Sequence, residues 1–135
     1  MPKTPDKRVV EQIVADIMIM LEENDAGISF AILEKIPGFT GNFALIKKKA
    51  NIVFWQGVSI EAIFAIAEMK TGGIIKPVPS SLLAYCTDGK FIRLPLAKSD
   101  DFELMKRGLR EAYSSPHWLP VVFTKGHNYP KWVAA

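Results

Sequence analysis

The chain reads as an α+β domain, and three observations carry that reading. Apolar residues recur at helical spacing over residues 9–21 and again over 60–67. Between 82 and 96, two apolar runs flank Thr87-Asp88-Gly89-Lys90. An Asp-Gly pair in that setting is the strongest short-range hairpin signal, because a type I′ turn needs positive φ at both central positions. Finally, residues 116–135 hold Trp118, Phe123, Tyr129 and Trp132, which is too aromatic for a disordered tail.

Taken in order, Pro5-Asp6 opens a first helix that runs to about Glu23, with Val9, Val10, Ile13, Val14, Ile17, Met20 and Leu21 on a broad apolar face. Asn24 to Gly27 ends it. Ile28, Ile32, Leu33 and Ile36 outline a second helix closed by Pro37-Gly38, since Pro37 biases Ile36 away from helical geometry. Asn42 is placed to cap a third, short helix carrying Phe43, Ile46 and Lys47-Lys48-Lys49. Asn51 to Trp55 is β-branched and aromatic, hence a strand ending at Gln56-Gly57.

Val58-Ser59 then starts a helix with Ile60, Ile63, Phe64 and Ala67 toward the core, stopped by Gly72-Gly73. Its opposite stripe is Glu61, Ala65 and Glu68. In the hairpin, pairing Thr87 with Lys90 sets Cys86 opposite Phe91, Tyr85 opposite Ile92 and Leu83 opposite Leu94. Leu83, Tyr85, Ile92 and Leu94 form its core face, and Ala84, Cys86, Phe91 and Arg93 face away, with the tail a candidate cover for Phe91. Ser99-Asp100-Asp101 starts a last helix over 99–114, acidic at its start and basic at Lys106, Arg107 and Arg110, as the macrodipole favours. Gly108 weakens its end by about 1 kcal/mol. The tail, 116–135, packs back on the domain or onto a partner.

All this fits one domain over 1–135, large enough to bury roughly two-thirds of its unfolded surface. Composition is ordinary for a globular protein, with 49 % apolar and 23 % charged residues. Apolar runs fall short of a bilayer span, and the pattern after Arg8 is broken by Glu11 and Asp16, unlike a signal peptide. Cys86 is the single cysteine, which points to a reducing, cytoplasmic setting. The net charge of +3 is small but uneven: residues 1–34 hold three basic and seven acidic side chains, residues 35–135 fourteen and seven. The basic part suits a polyanionic partner.

Enzymatic signatures are thin. His117 and His127 lack metal-ligand spacing, and there is no G-x-S-x-G elbow, P-loop or G-x-G-x-x-G. Cys86 reads as a small apolar packing residue on a strand, and Asp100-Asp101 as a helix start. No catalytic residue, metal or cofactor is expected.

The order helix, helix, short strand, helix, hairpin over residues 8–96 resembles the winged-helix class, with Asp88-Gly89 at the wing tip. That resemblance implies a non-enzymatic, regulatory or accessory DNA-binding protein in which a basic wing touches phosphate. Lys90 lies at the wing tip and Arg93 three residues on. With Lys47, Lys48 and Lys49 they are the expected DNA-phosphate contacts. Glu61 and Glu68 depart from the pattern, since carboxylates on the helix before the wing disfavour groove reading. The alternative is a protein-interaction module, most simply a homodimer joined through the first helix or the tail, with no DNA bound.

Overall fold

The computed structural model describes residues 4–130. Helix α1 (Lys7–Glu23) begins where the sequence says it should: the Asp6 carboxylate accepts a hydrogen bond from the Arg8 amide at 2.9 Å. Its Ile13, Ile17 and Leu21 are buried, largely against α3 (Ile60–Thr71). The second helical segment divides in two. Ile28–Ser29 is extended as β1, and only Phe30–Leu33 coils as α2, because the Ser29 hydroxyl caps it by accepting from the Ile32 amide at 3.3 Å. A capping residue keeps extended dihedrals, so Ile28 and Ser29 remain available to pair with a strand from the tail.

The expected third helix is absent. Thr40–Lys47 forms β2, antiparallel to β3 (Ile52–Val58), and the two are joined by a 3₁₀ turn at Lys48–Ala50. A helix here would have offered a handful of apolar residues to no partner. The ladder with β3 satisfies the backbone along the segment, and tertiary pairing overrides a weak local preference. The strand expected at 51–55 is present as β3 and extends to Val58.

Helix α3 starts at the expected place, with the Ser59 hydroxyl accepting from the Ala62 amide at 3.0 Å. Its orientation is the reverse of expectation. Glu61, Ala62, Ala65, Ile66 and Met69 are buried, whereas Phe64 is 48 % exposed and Ala67 faces solvent. Alanines at 62 and 65 bring the helix axis close to its neighbours, and proximity decides the inner face where side-chain size does not. Glu61 tolerates burial because it accepts the Asp6 backbone amide at 3.0 Å.

The hairpin is overturned. After β4 (Ile75–Pro79), residues Leu82–Asp88 form helix α4, and 90–95 carry no strand. Gly89 does take positive φ, +87°, but as the left-handed residue that ends a helix, with its amide donating to the Tyr85 carbonyl at 2.9 Å. Asp-Gly serves both structures for one stereochemical reason, and Leu82-Leu83-Ala84 before it are good helix formers. Of the expected core face, Tyr85 and Ile92 are buried and Leu94 half-buried, while Leu83 is 73 % exposed. Phe91 is uncovered and Cys86 exposed on α4, not packed on a strand. Without a wing, β3 has β2 and β5 (His117–Trp118) as neighbours, and no winged-helix topology results.

Helix α5 (Ser99–Lys106) starts with Asp100 and Asp101 as expected but stops well short of 114, just before Gly108 at φ +70°. The tail folds back into the domain. β5 runs parallel to β3, and β6 (Val121–Lys125) is the middle strand of a second sheet ordered β1-β6-β4. Trp118, Phe123 and Tyr129 are buried; Trp132 lies outside the described residues. An aromatic core joins the two sheets. Phe30 stacks on Trp55 at 5.7 Å, and Tyr85 meets Trp118 edge-on at 5.0 Å. The whole is an α+β fold with five α-helices and two three-stranded sheets among the described residues. No helix among them is long and apolar enough to cross a membrane.

Candidate anion-binding groove

Lysines 47–49 sit where the β2–β3 hairpin turns, because β2 ends at Lys47 and the 3₁₀ turn takes Lys48 and Lys49. Lys47 and Lys49 border a cleft of about 340 Å³ whose other wall is α5 and the bend after it, with Phe102, Met105, Lys106 and Arg110. Ala50 forms part of its floor, buried beneath the lysines. Lys70, on the last turn of α3, approaches from a third direction. Its pKa is held below the ordinary lysine value, first by burial of its stem and then by the charges of Lys47 and Lys106. Side chains from the β2–β3 turn, from α5 and from the bend after it thus place positive charge around one depression, with Lys70 near enough to feel Lys47 and Lys106.

Few carboxylates balance it. Lys106 pairs with Glu103 at 2.8 Å on its own helix, and the Arg110 guanidinium lies 3.6 Å from Asp101. Lys47, Lys48, Lys49 and Lys70 make no ion pair among the described residues. Beyond Arg110 the groove opens onto an aromatic ledge. The Arg110 guanidinium lies 4.7 Å from the Tyr113 ring centre, and His117 stacks on that ring at 3.9 Å. The Tyr113 hydroxyl donates to Asp101 at 2.8 Å and accepts the Lys98 amide at 3.1 Å. Its pKa is raised, by burial first and also by the neighbouring Asp101 carboxylate.

The expected phosphate contacts therefore separate. Lys47, Lys48 and Lys49 remain together, while Lys90 is engaged elsewhere: its ammonium lies 2.8 Å from one Glu34 oxygen, and the other accepts Trp55 Nε1 at 2.9 Å. That arrangement fixes the end of α4 to the aromatic core. Arg93 is exposed on the irregular segment after α4 and does not border the cleft. Comparison with family models, curated proteins and solved structures finds no match. The functional reading consequently rests on this groove.

Nothing in the sequence marks Lys70, Lys106 and Arg110 as site residues. Lys106 and Arg110 are four residues apart, and all three lie at or just beyond helix ends, where basic residues are already explained by the macrodipole. No local pattern links them to Lys47. Among the described residues, no three His, Cys, Asp or Glu side chains are grouped to hold a metal.

Proposed function

We propose that the chain is a non-catalytic accessory protein that binds double-stranded DNA through the phosphate backbone, along the groove bordered by Lys47, Lys49, Lys106 and Arg110, with Lys70 beside it. The observation that supports this is the convergence of like charges from separate segments with few carboxylates among them. Such a cluster repels itself, and a ligand carrying closely spaced negative charges relieves that repulsion and releases counterions. Lysine on a flexible stem makes point-charge contacts to phosphate that carry no sequence information. Reading of base edges is not part of the proposal, since α3 buries its Glu61 face and presents Phe64, Ala67 and Glu68 to solvent.

Binding of a labelled duplex, followed by fluorescence anisotropy across a salt series, tests the reading. Each neutralised phosphate contributes about −0.9 to the slope of log K against log salt, so five cations give roughly −4 to −5. Changing Lys47, Lys49 and Lys106 together to Gln lowers that slope by about three, whereas Lys90→Gln leaves it unchanged. Absence of binding at low salt, or equal slopes for both variants, refutes the proposal.

A second reading, self-association, is supported by β2. It is the outer strand of its sheet, and Phe43 and Ile46 are each nearly half exposed. Sedimentation of the wild type against Phe43→Lys tests it: a concentration-dependent dimer abolished by the lysine supports it, and a monomer throughout removes it.

A further inference from the structure

Next to the basic groove lies a second, smaller cavity of about 160 Å³, bordered by both sheets and by α3. Phe30, Ile66, Val121 and Phe123 are buried and line its interior, with the half-buried Leu45 and Phe54 along its sides. The exposed residues on its lining are Ile46, Lys47 and Lys70, which mark its mouth. The wall therefore has a hydrocarbon interior with three phenyl rings, and its charged side chains are two ammonium groups at the opening. Neither ammonium has a carboxylate partner among the described residues.

We propose that this cavity binds a small aromatic carboxylate of about benzoate size, with the ring among Phe30, Phe54 and Phe123 and the carboxylate between Lys47 and Lys70. Size sets the first limit. An apolar cavity of about 150 Å³ in a protein interior accepts a benzene ring, and the volume here is of the same order. Ring edges and faces from three phenylalanines give an aromatic guest directional contacts beyond simple burial. Chemistry sets the second limit. A sugar or a nucleobase would carry its polar edges into a wall whose polar side chains are confined to the two lysines at the mouth, and unpaired buried polar groups are strongly disfavoured. A neutral hydrocarbon would fill the interior but leave the repulsion between Lys47 and Lys70 unrelieved. A carboxylate at the mouth removes that repulsion and accepts charge-assisted hydrogen bonds from both.

The proposal does not rest on DNA binding, although Lys47 borders both depressions and the two ligands would compete for it. The experiment uses the full chain, isotopically labelled, without nucleic acid. Sodium benzoate is titrated and amide shifts are followed, with benzyl alcohol and inorganic phosphate as separate arms. Benzoate is expected to give saturable shifts centred on Leu45, Phe54, Ile66, Lys70, Val121 and Phe123, and to bind about tenfold or more tighter than either control. Lys70→Met should weaken benzoate by about tenfold and leave benzyl alcohol unchanged. Ile46→Trp, at an exposed position, should block the mouth and abolish the shifts in a spectrum that remains folded. The proposal is overturned by an absence of saturable shifts in a folded wild-type spectrum. It is equally overturned if phosphate moves the same residues as strongly, which makes the mouth a plain anion site, or if benzyl alcohol binds as tightly as benzoate.

Discussion

Replacing Tyr85 by phenylalanine removes one oxygen from the centre of the molecule and tests how α4 is held there. β1 pairs with β6 through Ile28–Phe123 and Ser29–Val122, so one step along the same register Phe30 faces Val121. At that step β1 has already turned into α2, and the Tyr85 hydroxyl stands in for the missing ladder bond. It accepts from the Phe30 amide at 3.1 Å and donates to the Val121 carbonyl at 2.6 Å. Without it a buried donor and a buried acceptor are both left unpaired, at about 1–3 kcal/mol for each such group, or roughly 2–4 kcal/mol in all after partial relaxation. With an unfolding entropy of about 2.1 cal/mol/K per residue, a chain of this length loses about 7–14 °C in melting temperature. Urea and thermal unfolding followed by circular dichroism measure the change. Burial foremost, with Asp88 adding to it, raises the Tyr85 pKa. The folded state therefore keeps its phenolic proton where the unfolded chain, with a pKa near 10, releases it. The stability from this bond is complete below pH ~10 and is lost as pH rises from there toward the folded value. Wild type should accordingly lose stability above pH ~10 faster than Tyr85→Phe, by at most about 1.4 kcal/mol per pH unit. A penalty under about 0.5 kcal/mol at neutral pH, or parallel alkaline profiles, would refute the placement of α4.

Other substitutions probe other parts of the structure. Gly126→Ala drives a methyl group into the Gly73 carbonyl, where two backbones meet and neither is free to move, since the Gly126 amide already donates to Ile74 at 2.8 Å. Calorimetry should show a loss of about 3 kcal/mol or more, and a near-neutral result would mean the two loops are farther apart. The Cβ of Gly89→Val meets no neighbouring atom, so its main cost is the left-handed backbone, about 1–2 kcal/mol. Lys90→Ala removes an ion pair whose lysine is exposed and whose mostly buried Glu34 keeps its hydrogen bond from Trp55, so it should cost less than about 1 kcal/mol in the same urea titration. Lys70→Met relieves the repulsion from Lys47 and Lys106 and should raise the melting temperature, more at low salt than at high; a decrease at low salt would contradict the cluster.

Element starts were the most legible part of this chain. Asp6 and Ser59 cap helices where sequence places them, because capping is local chemistry. What failed depends on distant neighbours. Asp88-Gly89 specifies positive φ at the glycine and nothing more, so whether it closes a hairpin or a helix is decided by Tyr85 reaching Phe30 and Val121. The inner face of α3 is obscured in the sequence because Phe64 carries a stronger hydrophobic signal than Ala62 and Ala65, while the smaller residues allow close packing. β2 reads locally as a helix because Asn42 resembles a cap and Phe43 and Ile46 fall three residues apart, whereas the ladder with β3 across the 3₁₀ turn decides the conformation. The groove shows the same division. Lys47-Lys48-Lys49 announces itself as a run, whereas Lys70, Lys106 and Arg110 join it only through the fold, and Lys90 leaves it through Glu34.

The middle strand of one sheet, β6, comes from the tail, and it is the only strand of that sheet that both of the others touch. During synthesis β1 emerges early and β4 midway, yet neither has an edge to join until Val121–Lys125 has left the ribosome. Closing loops of that length is entropically slow, so the sheet forms late. A nascent chain stopped before Val121 therefore displays two bare strand edges and the unfilled side of an aromatic core, a state open to capture by chaperones or by other nascent chains. Any tag, fusion or interruption placed between Trp118 and Tyr129 acts on the step that makes the rest of the chain worth folding.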